Sequence, residues 1–256
     1  MKNSIQNTVL YSAGIIVVLL ISSFTLKQVI QAKETKPINS GFAVLELFTS
    51  QGCSSCPPAD AVLGKYALED NPNIIPLAFH VDYWNGLGWK DPFSKAAFSN
   101  RQREYAQQMN SESTYTPQLI INGKYDVLGS DESAIKNKIQ QELATSKSAT
   151  IQIKEVKING NLLNVEYYLE KPSANSVVNI ALVKKKELTT IKRGENSGLK
   201  LTNYNIVYDF KTVSSLSNLC SLEFKEEWLP SDYFIVAYLQ NSKTSEVITA
   251  TKSEIK

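Results

Sequence analysis

The chain has 256 residues, of which 43% are hydrophobic and 20% are charged, a composition typical of a globular protein with room for two domains of ordinary size. Its 27 basic and 25 acidic residues leave a net charge of only +2, which argues against nucleic acid as a partner. With three cysteines and one histidine, the chain cannot form a multi-disulfide scaffold or a four-cysteine zinc site.

The N-terminal segment does not look like part of the fold. An apolar run over residues 9–26 contains an uninterrupted core at 13–21, whose length suits an export signal, while the whole run is long enough for a marginal membrane helix. We predict that residues 1–32 are a signal peptide or an N-terminal membrane anchor, and either makes the rest of the chain extracytoplasmic. Residues 33–40 are polar and predict a short tether.

Residues 41–148 alternate strand and helix patterns. The runs at 43–48 and 74–80 are mostly apolar, as expected of strands covered on both faces. A helix with apolar residues on one face follows the first run, and another helix is predicted over about 92–109. Asn122-Gly123 between apolar residues predicts a two-residue hairpin, and a last helix follows it. This order predicts an α/β thioredoxin-like domain with an inserted helix.

Residues 149–256 show a different pattern. Six or seven short segments alternate apolar and polar residues without a convincing helix between them, and Asn159-Gly160 marks a second hairpin. We predict a second, mainly antiparallel β domain that resembles a sandwich.

The motif with the clearest chemistry is the pair Cys53 and Cys56, which encloses two serines directly after the first predicted strand. Disulfide exchange needs an exposed thiol that attacks and a second thiol that resolves, and a helix N-terminus favours the thiolate. We predict that Cys53 is the nucleophile and Cys56 the resolving thiol, with no cofactor beyond their redox-active disulfide. The alternatives are a structural disulfide and one half of a metal site. Pro57 and Pro58 predict an irregular start of the helix.

Thr116 and Pro117 stand just before the predicted hairpin strand. At this place in thioredoxin-like proteins a cis proline faces the dithiol and leaves backbone groups free for an extended substrate. A cis X-Pro bond is a minority state that marks a specific structural need. We predict a cis Thr116–Pro117 bond and a substrate-binding role for both residues, against the alternative of an ordinary proline at a strand entry.

His80 ends the second predicted strand, and Asp82 and Trp84 follow it. Because the C-terminal ends of neighbouring parallel strands lie together, we expect His80 near the two cysteines. There it would support the dithiol by stabilising a thiolate or moving a proton, with Asp82 orienting its ring, unless it is a purely structural histidine. It would also complete an alternative ligand set of Cys53, Cys56 and His80 for copper or another soft metal. Trp84 is expected beside the dithiol or in the local core.

Two other groups of residues carry less specific signals. Arg101, Arg103 and Glu104 lie on the inserted helix, where a solvated face is the default expectation. Cys220 stands alone in the β-rich part, and we predict a buried, inert thiol.

The sequence also resembles a known family. Residues 45–60, which include the dithiol, resemble the signature of the domain of unknown function 1223 family, exported thioredoxin-like bacterial proteins without an assigned function. Further similarity follows in order at 80–84, 88–93, 101–106, 115–118, 193–198 and 201–202. The resemblance implies a thioredoxin-like fold, export and a dithiol at Cys53 and Cys56, and it implies no substrate. Asn85 stands where the family pattern leads us to expect an acidic residue.

Together these features predict an extracytoplasmic thiol–disulfide oxidoreductase that uses the Cys-Ser-Ser-Cys dithiol. Its expected partners are exported proteins or small-molecule thiols and disulfides. A membrane tether through the N-terminus is the expectation if residues 1–32 are an anchor rather than a signal peptide. The direction of exchange and the substrate do not follow from the sequence. The alternatives are a soft-metal chaperone and a non-catalytic thioredoxin-like binding module.

Overall fold

The computed structural model describes residues 41–111, 113–146 and 149–255. The predicted signal or anchor at 1–32 and the predicted tether at 33–40 lie outside these residues. Within the described part of the chain, none of the helices combines the length and apolar character needed to span a bilayer.

The described residues form a mostly β structure with few helices. The strands are Ala43–Thr49 (β1), Ile74–His80 (β2), Gln118–Ile121 (β3), Tyr125–Leu128 (β4), Ile151–Asn159 (β5), Leu162–Leu169 (β6), Ser176–Thr190 (β7), Lys200–Ser214 (β8), Leu219–Glu223 (β9), Tyr233–Asn241 (β10) and Val247–Glu254 (β11). The α-helices are Pro57–Glu69 (α1), Ala96–Gln108 (α2) and Glu132–Leu143 (α3), and a 3₁₀ turn covers Pro230–Asp232.

Eight strands form one mixed sheet in the order β11-β10-β7-β8-β2-β1-β3-β4. The pairs β1–β2 and β2–β8 are parallel, and the other neighbouring pairs are antiparallel. Strands from both sides of residue 148 therefore belong to the same sheet, and they meet where Ala78 of β2 pairs with Ile206 of β8. The two segments that the sequence pattern divides at this point share a backbone hydrogen-bond network.

The centre of the sheet is covered on both faces. Every residue of β1 and β2 is buried, as the apolar runs predict. Alternate residues of β1 point to opposite sides, so Leu45 and Leu47 pack with α1 and α3, while Val44 and Phe48 pack with α2. This packing fixes the C-terminal ends of β1 and β2 side by side, with Thr49 opposite His80.

The β-rich part places a second core between two sheets. Strands β5, β6 and β9 form a three-stranded antiparallel sheet, and their apolar residues pack against those of β7 and β10. Strands β7 and β8 are 15 residues long, so the prediction of uniformly short strands is wrong for these two.

The predicted hairpin turns are present with shifted boundaries. Asn122 and Gly123 both adopt positive φ, of 50° and 65°, but Ile121 pairs with Tyr125, so the loop has three residues rather than two. In the second hairpin Asn159 pairs with Leu162, and the turn residues are 160–161 rather than 159–160.

Arg101 corrects the expectation of a solvated face on the inserted helix. Its guanidinium is buried and binds the Glu46 carboxylate of β1 through two hydrogen bonds, of 2.6 and 2.8 Å. It also donates to the hydroxyl of Tyr238 in β10 at 3.0 Å. Burial opposes the charge on Arg101, but Glu46 outweighs this effect and the pKa of the guanidinium is raised. The buried ion pair therefore joins the inserted helix to β1, and the hydrogen bond to Tyr238 joins the same helix to the β-rich part.

Candidate functional site

The dithiol lies in the turn between β1 and α1. The backbone N–H of Cys53 donates to the carbonyl of Ser50, and the N–H of Cys56 donates to the carbonyl of Cys53, both at 3.2 Å. The tight turn brings the Cα atoms of Cys53 and Cys56 to 5.4 Å, and the two sulfurs form a disulfide. The pairing predicted from the sequence is therefore present.

The helix begins later than expected. Cys56 is the N-cap of α1, so Cys53 lies in the preceding turn and not in the helix itself. Pro57 and Pro58 occupy the first helical turn and have no N–H, while the N–H groups of Ala59 and Asp60 both donate to the carbonyl of Cys56. These contacts leave the helix start with few free donors for a Cys53 thiolate.

Both cysteines are buried, which corrects the expectation of an exposed attacking thiol. The exposed fraction is 1% for Cys53 and 0% for Cys56, whereas the two serines between them are exposed. The backbone of the motif reaches the surface, but its sulfurs do not.

Thr116 contacts the dithiol as predicted, while the substrate-binding role of Thr116 and Pro117 stays a prediction. The Thr116–Pro117 bond is cis. The hydroxyl of Thr116 donates to the Sγ atom of Cys53 at 3.4 Å, and the carbonyl of Thr116 lies 4.0 Å from the same sulfur. Trp84 donates its indole N–H to the Thr116 hydroxyl at 2.9 Å. Trp84 thus reaches the dithiol through Thr116, and these three residues form one hydrogen-bonded chain ending on Cys53.

His80 is buried beside Asp91. Its Nδ1 atom lies 2.7 Å from the Oδ2 atom of Asp91, and its Nε2 atom has no hydrogen-bond partner among the described residues. Burial disfavours the imidazolium, but Asp91 and, more weakly, Asp60 outweigh it, so the pKa of His80 is raised. The described contacts include no hydrogen bond from His80 to either cysteine.

Asp91, and not Asp82, orients the histidine. Asp82 accepts a hydrogen bond from the hydroxyl of Ser99 at 2.5 Å, so the orienting role expected for it is not observed. Asp91 also accepts the N–H groups of Gln51, at 2.7 Å, and Phe93, at 3.0 Å. Burial disfavours the carboxylate, but His80 and these N–H groups outweigh that effect and lower the pKa of Asp91.

Asp60 is a further buried carboxyl group close to this pair. It accepts a hydrogen bond from Thr49 at 2.9 Å. Burial raises the pKa of Asp60 to about 6, although His80 and Thr49 partly oppose the shift. Acidic residues in the first turn of a helix are usually exposed and interact favourably with the helix dipole. The sequence pattern therefore does not indicate that Asp60 is buried.

A loop from the β-rich part covers the dithiol turn. Asn196 is buried and donates from Nδ2 to the carbonyl oxygens of Gln51, at 3.0 Å, and Cys53, at 2.9 Å. The Glu195 carboxylate accepts the N–H of Ser54 at 3.0 Å. The side chain of Ser54 and, after it, this N–H lower the pKa of Glu195. The resemblance of residues 193–198 to the family pattern drew attention to this loop. It did not predict that the loop lies over the dithiol turn.

The alternative metal set of Cys53, Cys56 and His80 is not assembled as three free ligands. The two sulfurs are bonded to each other, and the Nδ1 atom of His80 faces Asp91. Across residues 41–111, 113–146 and 149–255, no three or more His, Cys, Asp or Glu side chains are grouped so that they could hold a metal ion.

Comparisons with known proteins place the chain in a family and identify solved structures that are similar to it. The family described as "Protein of unknown function (DUF1223)" matches residues 44–240. Protein AGR_C_4864 from Agrobacterium tumefaciens is 26% identical, with a TM-score of 0.64 over 84% of this chain and 94% of that chain. HBP35 of Porphyromonas gingivalis is 15% identical, with a TM-score of 0.59 over 84% and 76% of the two chains, and shows similarity of fold alone. A search of curated proteins found no match.

Proposed function

The chain belongs to the domain of unknown function 1223 family, and from this premise we propose that it is an extracytoplasmic thiol–disulfide oxidoreductase. The proposal includes a thioredoxin-like arrangement of residues 41–146. It is supported by the parallel pair β1–β2, the dithiol between β1 and α1, and the β3–β4 hairpin that follows a cis proline. The apolar N-terminal run supports the extracytoplasmic location.

The observation that carries the proposal is the contact between Thr116 and Cys53. A hydroxyl 3.4 Å from the sulfur stabilises a thiolate, and the indole of Trp84 polarises that hydroxyl by donating to it. Because the donor is directed to Cys53, this cysteine is the nucleophile and Cys56 resolves. The backbone beside the cis bond lies next to the same sulfur, where an extended substrate would bind.

The exchange keeps the numbers of thiols and of disulfides constant, because one disulfide forms for each one that breaks. With the pair reduced, the Cys53 thiolate attacks one sulfur of a substrate disulfide, a mixed disulfide forms, and the other substrate sulfur leaves as a thiolate that takes up a proton. The Cys56 thiolate then attacks the Cys53 sulfur and releases the second substrate thiol. The substrate gains two electrons and the Cys53–Cys56 disulfide is restored. The reverse sequence oxidises a substrate dithiol, and the relative reduction potentials set the direction.

Access to the buried sulfur requires the covering groups to move. Glu195 occupies the N–H of Ser54, and Asn196 holds the carbonyl of Cys53. A substrate disulfide that reaches Cys53 displaces part of this loop, so exchange is expected to be faster with small or extended disulfides than with folded proteins.

The test compares three single variants. We expect C53S to lose reduction of a small aromatic disulfide and of insulin by dithiothreitol. C56S is expected to accumulate a mixed disulfide with the aromatic thiol, visible by mass spectrometry, because the resolving step is missing. The matched control is C220S, since Cys220 is buried and burial raises the pKa of its thiol to about 11. Turnover by C53S equal to that of the unchanged protein would refute the proposal.

A further inference from the structure

A cavity of about 340 Å³ lies at the opposite end of α1 from the dithiol. Its walls include Tyr66 and Ala67 near the end of α1, Ile75 and Pro76 of β2, and Tyr204 of β8. This volume is within the range of small-molecule sites, which are mostly apolar and carry a few polar groups.

The cavity exists because β2 and β8 separate. The two strands pair at Ala78 and Ile206, and before this point Asn205 adopts a positive φ of 49°. Its side chain donates to the carbonyl of Pro76 at 3.0 Å in place of a backbone bond. The gap is therefore stabilised by specific contacts and is not merely a result of loose packing.

Gly64 does not line the cavity but determines how closely the lining residue Tyr204 packs against α1. A Cβ atom at this position would lie 2.8 Å from the Cδ2 atom of Tyr204, so the absence of a side chain lets the Tyr204 ring approach α1 closely. The hydroxyl groups of Tyr66 and Tyr204 form no hydrogen bond with other described residues, and both rings are half-buried. The site therefore combines aromatic surface with two tyrosine hydroxyl groups that form no hydrogen bond to other described residues.

The charges around the cavity are not balanced. Lys185 pairs with Glu254, with the Nζ and Oε2 atoms 2.7 Å apart, and Lys252 pairs with Asp70. Lys186 also lines the cavity, and it forms no ion pair within the described part of the chain. Its ammonium lies 5.5 Å from the centroid of the Tyr204 ring. One positive charge is thus left at the edge of an apolar space.

We propose that this cavity binds a small carboxylate with a planar apolar body. The Lys186 ammonium binds the carboxylate, and Tyr66, Pro76 and the Tyr204 ring contact the body. The site is independent of the disulfide exchange proposed above, because it is formed by the other end of α1.

The test measures binding of 2-naphthoate and of its neutral analogue 2-naphthamide to the full chain by isothermal titration calorimetry. We expect one naphthoate per chain, bound at least about tenfold more tightly than naphthamide. K186A should remove most of that preference, and A67W should abolish binding of both probes by filling the cavity. K154A is the matched control, since Lys154 also stands over a tyrosine ring, that of Tyr168, and does not line the cavity.

Circular dichroism melts establish that each variant is folded, and C53S should bind naphthoate like the unchanged protein. The proposal is overturned if naphthoate gives no saturable heat, if naphthamide binds equally well, or if K186A and A67W both bind naphthoate normally. Loss of exchange in C53S with retained naphthoate binding separates this site from the redox function.

Discussion

Thr116 has a specific role at the level of single residues, because its hydroxyl is the donor to Cys53 and the acceptor from Trp84. A hydrogen bond to a charged group contributes about 1.5–3 kcal/mol, and the lower value corresponds to about a tenfold change in an equilibrium. We therefore expect T116V to slow alkylation of reduced Cys53 by iodoacetamide at pH 7 about tenfold, because less thiolate is present. T116S keeps the hydroxyl and should retain most of the rate. Equal rates for the unchanged protein and T116V would contradict this role.

The raised pKa of Asp60 predicts how the stability of the protein depends on pH. Its pKa is about 6 in the folded chain and 3.8 in the reference state, so the folded state binds the proton more tightly. The contribution of Asp60 to the free energy of unfolding should therefore fall as pH rises from about 4 to about 6.5, by roughly 2–3 kcal/mol, and stay lower above that range.

Asn in place of Asp60 removes this titration while keeping an oxygen that can accept from Thr49. We expect D60N to be more stable than the unchanged protein at pH 8 and about equally stable at pH 4, measured by urea unfolding of the oxidised proteins. His80 and Asp91 titrate in both proteins, but Asp60 raises the pKa of His80, so D60N also moves the His80 titration to lower pH. Parallel stability curves for the two proteins would show that Asp60 does not titrate in this range.

At the level of elements, sequence reasoning worked where neighbouring residues determine the structure. Strands β1 and β2 were predictable because their apolar runs are buried on both faces. The turn holding Cys53 was predictable because it follows a strand directly. Asn196 could not be assigned, since it contacts Cys53 from 143 residues away and a polar residue in a glycine-containing loop gives no long-range signal. The burial of the dithiol was missed for the same reason.

The loop at 193–198 should control access to the disulfide. N196A removes the two hydrogen bonds to Gln51 and Cys53, which should cost about 2 kcal/mol. The Cys53 carbonyl keeps the N–H of Cys56 as a donor, whereas the Gln51 carbonyl loses its described partner. We expect dithiothreitol to reduce the disulfide several-fold faster in N196A, because the loop opens more often. Reduction is followed by mass spectrometry after quenching, under conditions where all variants remain folded.

S197A is the matched control for this loop, since Ser197 is exposed and its hydroxyl donates only to the Lys192 carbonyl. It should leave the rate of reduction unchanged. If S197A accelerates reduction as much as N196A does, the contacts of Asn196 are not what restricts access.

At the level of the whole molecule, the sequence pattern separates residues 41–148 from 149–256, while the sheet joins them. Composition and periodicity change at this point, but neither reports which distant strands pair. The β2–β8 pairing depends on Ala78 and Ile206, and the Glu46–Arg101 pair extends the connection to Tyr238 of β10. Such contacts depend on tertiary packing, so a change of pattern along the chain did not reveal them.

Arg101 should stabilise this connection between the two parts of the chain. R101M leaves the Glu46 carboxylate buried without its cation and should lower the free energy of unfolding by about 3–5 kcal/mol. Since Arg101 binds both Glu46 of β1 and the hydroxyl of Tyr238 of β10, it joins elements from both parts of the chain. We therefore expect one transition in urea, monitored by tryptophan fluorescence and far-ultraviolet circular dichroism, that shifts equally for both probes. The double variant E46M/R101M removes the unpaired charge and should recover part of the loss. The recovery is incomplete because the buried hydroxyls of Tyr105 and Tyr238 both donate to Glu46 and lose this acceptor. Two separated transitions in R101M would show instead that residues 41–148 and 149–256 unfold independently.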